Sequence, residues 1–390
     1  MTSNEKRAPV MQEAAGGERR DPAPVMPNET GREAPGRTPL MQDGPAPTAG
    51  ATVKCLVWDL DNTLWDGILL EDERVRLRPG IRSLLETLDQ RGILHSIASR
   101  NEPEQAAAKL RDFGIDHLFL HPQIGWQAKA SSIQRIAARL NLGLEALAFI
   151  DDDPFERDQV RHALPQVRVF DARESGRLAE SPDFHPRFVT DDARRRREMY
   201  TSEIERQQAE EVFAGPQEAF LATLKMRLSI ARVGPGDLER AEELTVRTHQ
   251  LNSTGYTFDY AELDRLRTSP GHRLLIVELE DRYGSYGKIG LALLALGEEF
   301  WTIRLLLMSC RVMSRGVGTV LLNHILASAR EAGKRVRAEF IPTKANRQMY
   351  VTLRFGGFSE TGTENGVVLL EADPAHNPVM PPYVQVVADA

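Results

Sequence analysis

Asp59 and Asp61 stand two residues apart, with Thr63 two further on, directly after the run Lys54-Cys55-Leu56-Val57-Trp58. Two carboxylates and a hydroxyl at the end of a buried strand are what is needed to attack a phosphoryl group with an aspartate and to hold the magnesium that neutralises it. Asp59 is placed to attack phosphorus. Asp61 could protonate the leaving oxygen and later deprotonate the attacking water. Thr63 and the free N–H groups of the turn can position the phosphate. Three further elements complete the set. Ser99, followed by Arg100 and Asn101, ends a second apolar run and offers a hydroxyl to a phosphate oxygen. Lys129 supplies the positive charge that offsets charge developing on the transferred group. Asp151 and Asp152, after Leu147-Ala148-Phe149-Ile150, complete a hard oxygen site suited to Mg2+. Each alone has an ordinary explanation as a turn, a cap or a solvated charge; the order and strand-end placement of all four carry the chemistry.

The elements that must position these residues follow a regular pattern. Short apolar runs (55–58, 94–98, 117–120, 147–150 and 167–170) alternate with helical stretches (81–91, 102–113, 128–140 and 155–163). Such alternation predicts an α/β fold with a Rossmann-like parallel sheet covered on both faces, over residues 51–185. Ligands of such sheets sit beyond the carboxyl ends of the strands, where Asp59, Ser99 and Asp151 fall. Only 36 positions separate Thr63 from Ser99, and 30 separate Ser99 from Lys129. Neither gap has room for a substantial cap domain, so the site should be open and accept a phosphate carried on something large.

The rest of the 390 residues divides by composition. Residues 1–50, rich in Pro, Gly, Glu and Arg, are expected to be a disordered leader. Residues 186–225 read as a charged helical linker, in which the run Arg194 to Arg197, flanked by Asp191, Asp192 and Glu198, is expected to be a solvated helix face. Residues 226–373 mix strands and helices, including a hairpin of 288–296 with 299–307 turned at Gly297-Glu298, and predict a second, mixed α/β domain. The Pro-rich end, 374–390, reads as an extended tail. No run of about 18 apolar residues occurs, and residues 1–20 lack the apolar core of a secretory signal, so no membrane and a cytoplasmic location are expected. A net charge of -7 argues against a nucleic-acid partner. Two cysteines distant in sequence argue against a disulfide framework or a cysteine zinc site.

Cys310 lies in Met308-Ser309-Cys310-Arg311-Val312, just before Ser314-Arg315-Gly316-Val317-Gly318 opens an amphipathic helix. Positive charge and a helix amino terminus beside a thiol favour a thiolate nucleophile; the alternative is a cysteine that packs as a small hydrophobe, the role expected of Cys55. The glycine loop could cradle a pyrophosphate or a phosphopantetheine phosphate.

The four phosphoryl elements resemble the motifs of the haloacid dehalogenase superfamily. That resemblance implies Asp59 as nucleophile, Asp61 as acid and base, and Lys129 as charge stabiliser. It also implies that the Asp61 backbone carbonyl joins the Asp59 and Asp152 carboxylates on magnesium, beside Asp151. The loop at Arg315-Gly316-Val317-Gly318 and the elements around it are similar to the Gcn5-related acetyltransferase fold. Met313 stands where that loop usually has Arg or Gln, which weighs against acetyl-coenzyme A.

Across roughly residues 52–372, Trp58 to Trp65, Phe149 to Arg157, Arg247-Thr248-His249-Gln250-Leu251-Asn252 and Ser309 to Val312 together resemble the FkbH-like family. His249 and Asp153 stand where that family more often has Asn. The resemblance implies an enzyme that makes glyceryl-carrier protein from 1,3-bisphosphoglycerate for polyketide assembly, using the phosphopantetheine arm of an acyl carrier protein. Cys310 would then be the acyl-transferring thiol, and Arg247, Gln250, Asn252 and Arg311 candidates for holding the substrate, with Thr63, Ser99 and Asn101 at the phosphatase site. Two other readings stand beside it. One is a magnesium-dependent phosphatase whose second domain docks a protein; the other is an N-acyltransferase with a degenerate phosphatase domain, which the intact motifs disfavour.

Overall fold

The computed structural model describes residues 53–72, 74–248, 250–313, 315–376 and 379–388, so the expected leader lies outside the described residues. Strand β1 (Cys55–Trp58) is the centre of the first sheet. β2 (Trp65–Asp66) and β3 (Arg76–Leu77) make a small antiparallel ribbon. β4 (Leu94–Ser99), β5 (Gln123–Ile124), β6 (Leu147–Asp151) and β7 (Arg168–Asp171) join β1 in a parallel sheet of order β5-β4-β1-β6-β7. The chain builds outward from β1 to β5 and then crosses to β6, so the strand order reverses at β1 and a crevice opens at its carboxyl end.

Alternation along β1 explains why it is apolar throughout. Leu56 and Trp58 pack with Ile81, Leu85 and Leu88 of the helix Ile81–Gln90, while Cys55 and Val57 pack with Ile133, Ile136 and Val160 on the other face. Cys55 is fully buried, and burial pushes its thiol well above the usual range, in keeping with a packing role.

Residues 117–120 do not form the expected strand. They make a 3₁₀ turn, Asp116–Leu118, and a single bridge from Phe119 to His95. Leu118, Phe119 and Leu120 are all buried, so the run lacks the alternation that separates a strand from a packed turn. His121, at φ 49°, then breaks the extended path before the short edge strand β5.

Under the sheet, the fully buried His95 accepts a hydrogen bond at Nδ1 from Trp58 Nε1 (3.1 Å) and donates through Nε2 to the Leu85 carbonyl (3.0 Å). Burial lowers its pKa to about 4. The folded state therefore keeps the neutral ring, while the unfolded chain takes up a proton as pH falls below about 6.5. Stability from this source is present above pH 6.5 and is lost on the way down to pH 4, by about 3 kcal/mol in all. Melting curves from pH 7 to 4.5 should show a steeper decline for the natural chain than for His95→Gln; parallel declines would rule this out.

The second sheet has eight strands: β8 (Met226–Arg232), β9 (His272–Asp281), β10 (Gly284–Leu296), β11 (Phe300–Met308), β12 (Arg335–Phe340), β13 (Phe358–Glu364), β14 (Val367–Ala372) and β15 (Val384–Ala388). Its order is β13-β14-β12-β11-β10-β9-β8-β15. β10 and β11 form the antiparallel hairpin that the Gly297-Glu298 turn predicts. The end read as an extended tail instead supplies β15, parallel to β8. Val384 and Val386 alternate onto the core there, a pairing that outweighs the proline-rich approach.

β11 and β12 pair in parallel only from Phe300 to Ile303 and then separate. The segment 251–253 fills the gap. Met308 N donates to the Leu251 carbonyl, Ser253 N to the Leu306 carbonyl and Ile341 N to the Ser253 carbonyl, each at 2.9 Å. Backbone groups exposed by the separation are thereby satisfied.

The linker is more than a solvated helix. The helix Arg196–Glu211 buries Met199 and Arg206. Arg206, with no exposed surface, pairs with Asp281 at 2.7 Å and stacks 3.8 Å from the Tyr286 ring centre. Only Arg194 and Arg195 of the arginine run behave as a solvated face, pairing with Asp191 and Glu198 near them. Arg196 reaches the Gly92 carbonyl and Glu243 and so joins the two halves, while Arg197 reaches Asp89 and fastens the connecting helix to the first. Successive helical residues point about 100° apart, so a run of four cannot all face solvent.

Candidate active sites

Asp59 follows β1, Ser99 ends β4 and Asp151 ends β6, three adjacent strands whose carboxyl ends open into a cleft of about 480 Å³. Lys129 opens the helix Lys129–Leu140, and its buried ammonium bridges Asp59 Oδ1 (2.8 Å) and Asp151 Oδ2 (2.5 Å). Burial alone would lower the Lys129 pKa, but Asp59 and Asp151 outweigh it and raise it. Lys129 is a fixed positive charge against Asp59.

Asp61 is held from both sides. Its Oδ1 accepts from Trp65 Nε1 (2.8 Å) and Leu69 N (3.0 Å), and its Oδ2 from Asn101 Nδ2 (2.8 Å). Asn101, fully buried, therefore orients Asp61. Thr63 serves the Asp152 turn: its hydroxyl accepts from Asp152 N at 3.0 Å and donates to the Asp152 carboxylate at 3.4 Å. Ser99 lines the cleft, with Arg100 beside it paired to Glu156 at 3.0 Å.

Asp59, Asp151 and Asp152 each bring a carboxylate oxygen within 4.8 Å of the others. Burial and then Asp59 push Asp151 up to about 7 and shift Asp152 in the same direction. Crowded carboxylates with hard oxygen donors suit a divalent cation such as Mg2+, which would relieve that repulsion. The Asp61 carboxylate lies outside this trio, so Asp61 could contribute to a metal only through its backbone.

Three contacts at the cleft escape motif reading, although their residues fall within the quoted strings. Trp65 holds Asp61 across one turn. Arg157 donates to the carbonyls of Asp151 (2.8 Å) and Asp152 (2.7 Å), fixing that loop. The Arg100–Glu156 pair joins two strand-end loops. Between Thr63 and Ser99 the described chain forms only the β2–β3 ribbon and one helix, so no cap domain covers the cleft.

Cys310 is partly exposed at the start of the 3₁₀ turn Cys310–Val312. Arg311 donates to the Tyr286 carbonyl at 2.9 Å and contacts Met199 Sδ at 3.3 Å. Arg247 pairs with Glu243 at 2.9 Å. Gln250 is exposed, and His249 lies outside the described residues. Asn252 is unlike the other candidates: fully buried, its amide is spent on Thr248, Thr254 and Gly255, so its visible work is to shape the segment that fills the β11–β12 gap.

The glycine loop is covered. Arg315 pairs with Glu210 at 3.3 Å and Glu203 at 3.5 Å. Gly316, at φ 74°, faces the Tyr383 hydroxyl so closely that a Cβ there would lie 2.8 Å from it. The segment leading to β15 thus sits where a pyrophosphate would have to approach.

No known family profile matches the sequence, and no curated protein matches it. Among solved structures, the phosphatase-domain part of the Bacteroides fragilis protein BF1531, complexed with Mg, is 32% identical over 31% of this chain and 36% of its own length, with a TM-score of 0.28. The chain thus spans about a third of that structure. The ribosomal-protein-S18-alanine N-acetyltransferase of Escherichia coli is 14% identical over 37% of this chain and 92% of its own, with a TM-score of 0.30. The GNAT domain of S. lividans PAT is 21% identical over 36% and 88%, with a TM-score of 0.30.

Proposed function

We propose that the chain is a magnesium-dependent glyceryltransferase and phosphatase that loads a glyceryl unit from 1,3-bisphosphoglycerate onto an acyl carrier protein. One observation carries this reading: a complete aspartate and lysine cleft without a cap shares the chain with an accessible thiol set among arginines. The Cys310 thiolate attacks the acyl phosphate carbonyl, inorganic phosphate leaves, and a thioester forms without ATP. The carrier's phosphopantetheine thiol then attacks that thioester and frees Cys310. Asp59 attacks the remaining phosphate monoester, Asp61 protonates the departing glyceryl oxygen, and water activated by Asp61 hydrolyses the aspartyl phosphate. Asp59, Asp151 and Asp152, with the Asp61 carbonyl, would hold Mg2+, which would supply charge neutralisation at the phosphoryl group.

The cleft suits a large donor. Trp126, in the bend three residues before Lys129, and Phe155, in the first turn of the helix Pro154–Ala163, stand 66% and 62% exposed, and Ile68 lines the opening. Such apolar surface around a polar cleft favours a protein-borne phosphate over a free one. Intact-mass measurement of a carrier incubated with enzyme and 1,3-bisphosphoglycerate tests the whole scheme. A glyceryl adduct is expected; release of phosphate with no adduct would favour a phosphatase with a docking domain.

A further inference from the structure

Among the described residues, six carboxylates line the aspartate cleft against two cations, Lys129 and Arg100. A phosphate monoester entering the cleft adds about two more negative charges. Lys129 is poorly placed to receive them alone, because its ammonium already meets Asp59 and Asp151. The phosphoryl oxygens need donors of their own.

Arg100 has donors to spare. It follows Ser99 at the end of β4, and 42% of its side chain is exposed. Its Nη1 meets Glu156 Oε1 at 3.0 Å, and among the described residues no other ion pair or hydrogen bond engages the side chain. A guanidinium carries several N–H donors in a planar fork that matches phosphate oxygens, so most of the fork stays free at the cleft.

Glu156 explains why the fork sits there. It is the third residue of the helix Pro154–Ala163, the place from which a glutamate ordinarily reaches back to the N-cap backbone N–H. That N–H, on Asp153, donates instead to Asp151 Oδ1 at 2.8 Å. Glu156 turns to Arg100, and the pair joins the loops after β4 and β6, the two strands that flank β1. Glu156 is 5% exposed, and among the described residues its buried Oε2 has no hydrogen-bond partner. A half-satisfied buried carboxylate costs stability, and its one contact fixes a cation that lines the cleft.

We propose that Arg100 is a second phosphate-binding cation of the cleft, which takes non-bridging phosphoryl oxygens through its free N–H groups, and that Glu156 is the positioning residue that holds the guanidinium for them. The proposal rests on the cleft being a phosphatase site and is independent of glyceryl loading. Arg100 adds what Lys129 cannot, donors that are not already committed to Asp59 and Asp151.

Calorimetric titration of inorganic phosphate into the full chain, with Mg2+ present, reads the binding directly. Arg100→Gln alone strands Glu156 as a buried, unpaired carboxylate, so the decisive variant combines Arg100→Gln with Glu156→Gln. It should bind phosphate about thirtyfold more weakly, as expected for the loss of charge-assisted hydrogen bonds. Arg100→Lys keeps the charge without the fork and should lose about fivefold. Glu156→Gln alone should lose about threefold, and should cost nothing further in a folded Arg100→Gln chain, since it acts only through Arg100. Phosphate binding by the combined variant equal to that of the natural chain would overturn the proposal. So would unchanged phosphate affinity beside slower hydrolysis of large esters, which would put Arg100 on the leaving group. A natural chain that binds no phosphate would sink the phosphatase site as well, whereas these losses without any glyceryl adduct on a carrier would sink glyceryl loading alone.

Discussion

Asp59→Asn is expected to stop hydrolysis of the phosphate monoester and leave a phosphoglyceryl group on the carrier, while loading still frees the phosphate of the acyl phosphate. The amide keeps the size of the carboxylate and can still meet Lys129, which retains its contact with Asp151. It cannot attack phosphorus, and it removes one charge from the carboxylate trio that would hold the metal. Loss of a nucleophile in a cooperating set typically costs on the order of 10⁴-fold or more. Loading should survive because the thiol is elsewhere. Cys310 opens the turn Cys310–Val312 that follows β11 of the second sheet and does not line the aspartate cleft. Intact mass then separates two outcomes: the natural enzyme yields glyceryl-carrier and Asp59→Asn yields the heavier phosphorylated form. A folded Asp59→Asn protein that fails to load the carrier would refute the division of labour.

Much of the first sheet and its cleft was legible in the sequence. Runs such as 55–58 and 147–150 are apolar because both faces are buried, and the charged residues follow where each strand stops. The same logic failed at 117–120, where burial of Leu118, Phe119 and Leu120 in a packed turn gives the same apolar run as a buried strand. Lys129 was recognised by its order in the chain; its bridge between Asp59 and Asp151 depends on where the helix Lys129–Leu140 begins and had to be seen. β13 could not be read because only Phe358 of its seven residues is buried, and β15 was masked by the prolines before it. The connecting helix was the least legible feature. Arg196 looked like one member of a solvated run. Arg196 instead pairs with Glu243 through long-range packing, which no local spacing encodes. The covered glycine loop is a case of the same kind, since Tyr383 lies 67 residues beyond Gly316.

Cys310→Ala should abolish loading while the variant still removes phosphate from a carrier already charged with a phosphoglyceryl group. The aspartate cleft shares no side chain with the thiol site, and sites separated by more than about 10 Å usually behave independently. In the proposed scheme only the Cys310 thiolate converts the acyl phosphate to a thioester, so loading should fall to the uncatalysed background. Cys310→Ser guards against a packing artefact: it restores nearly the original volume, yet its hydroxyl is a far weaker nucleophile and should not rescue. The sharper test mixes the two variants. Asp59→Asn loads but cannot finish, Cys310→Ala finishes but cannot load, and a carrier moving between molecules should emerge as glyceryl-carrier from the mixture. Complementation requires that the phosphorylated unit leave Cys310 before it meets Asp59, as expected of two sites that share no lining residue. If Cys310→Ala alone still loads the carrier, the carrier thiol attacks the acyl phosphate directly, and the role of Cys310 is packing.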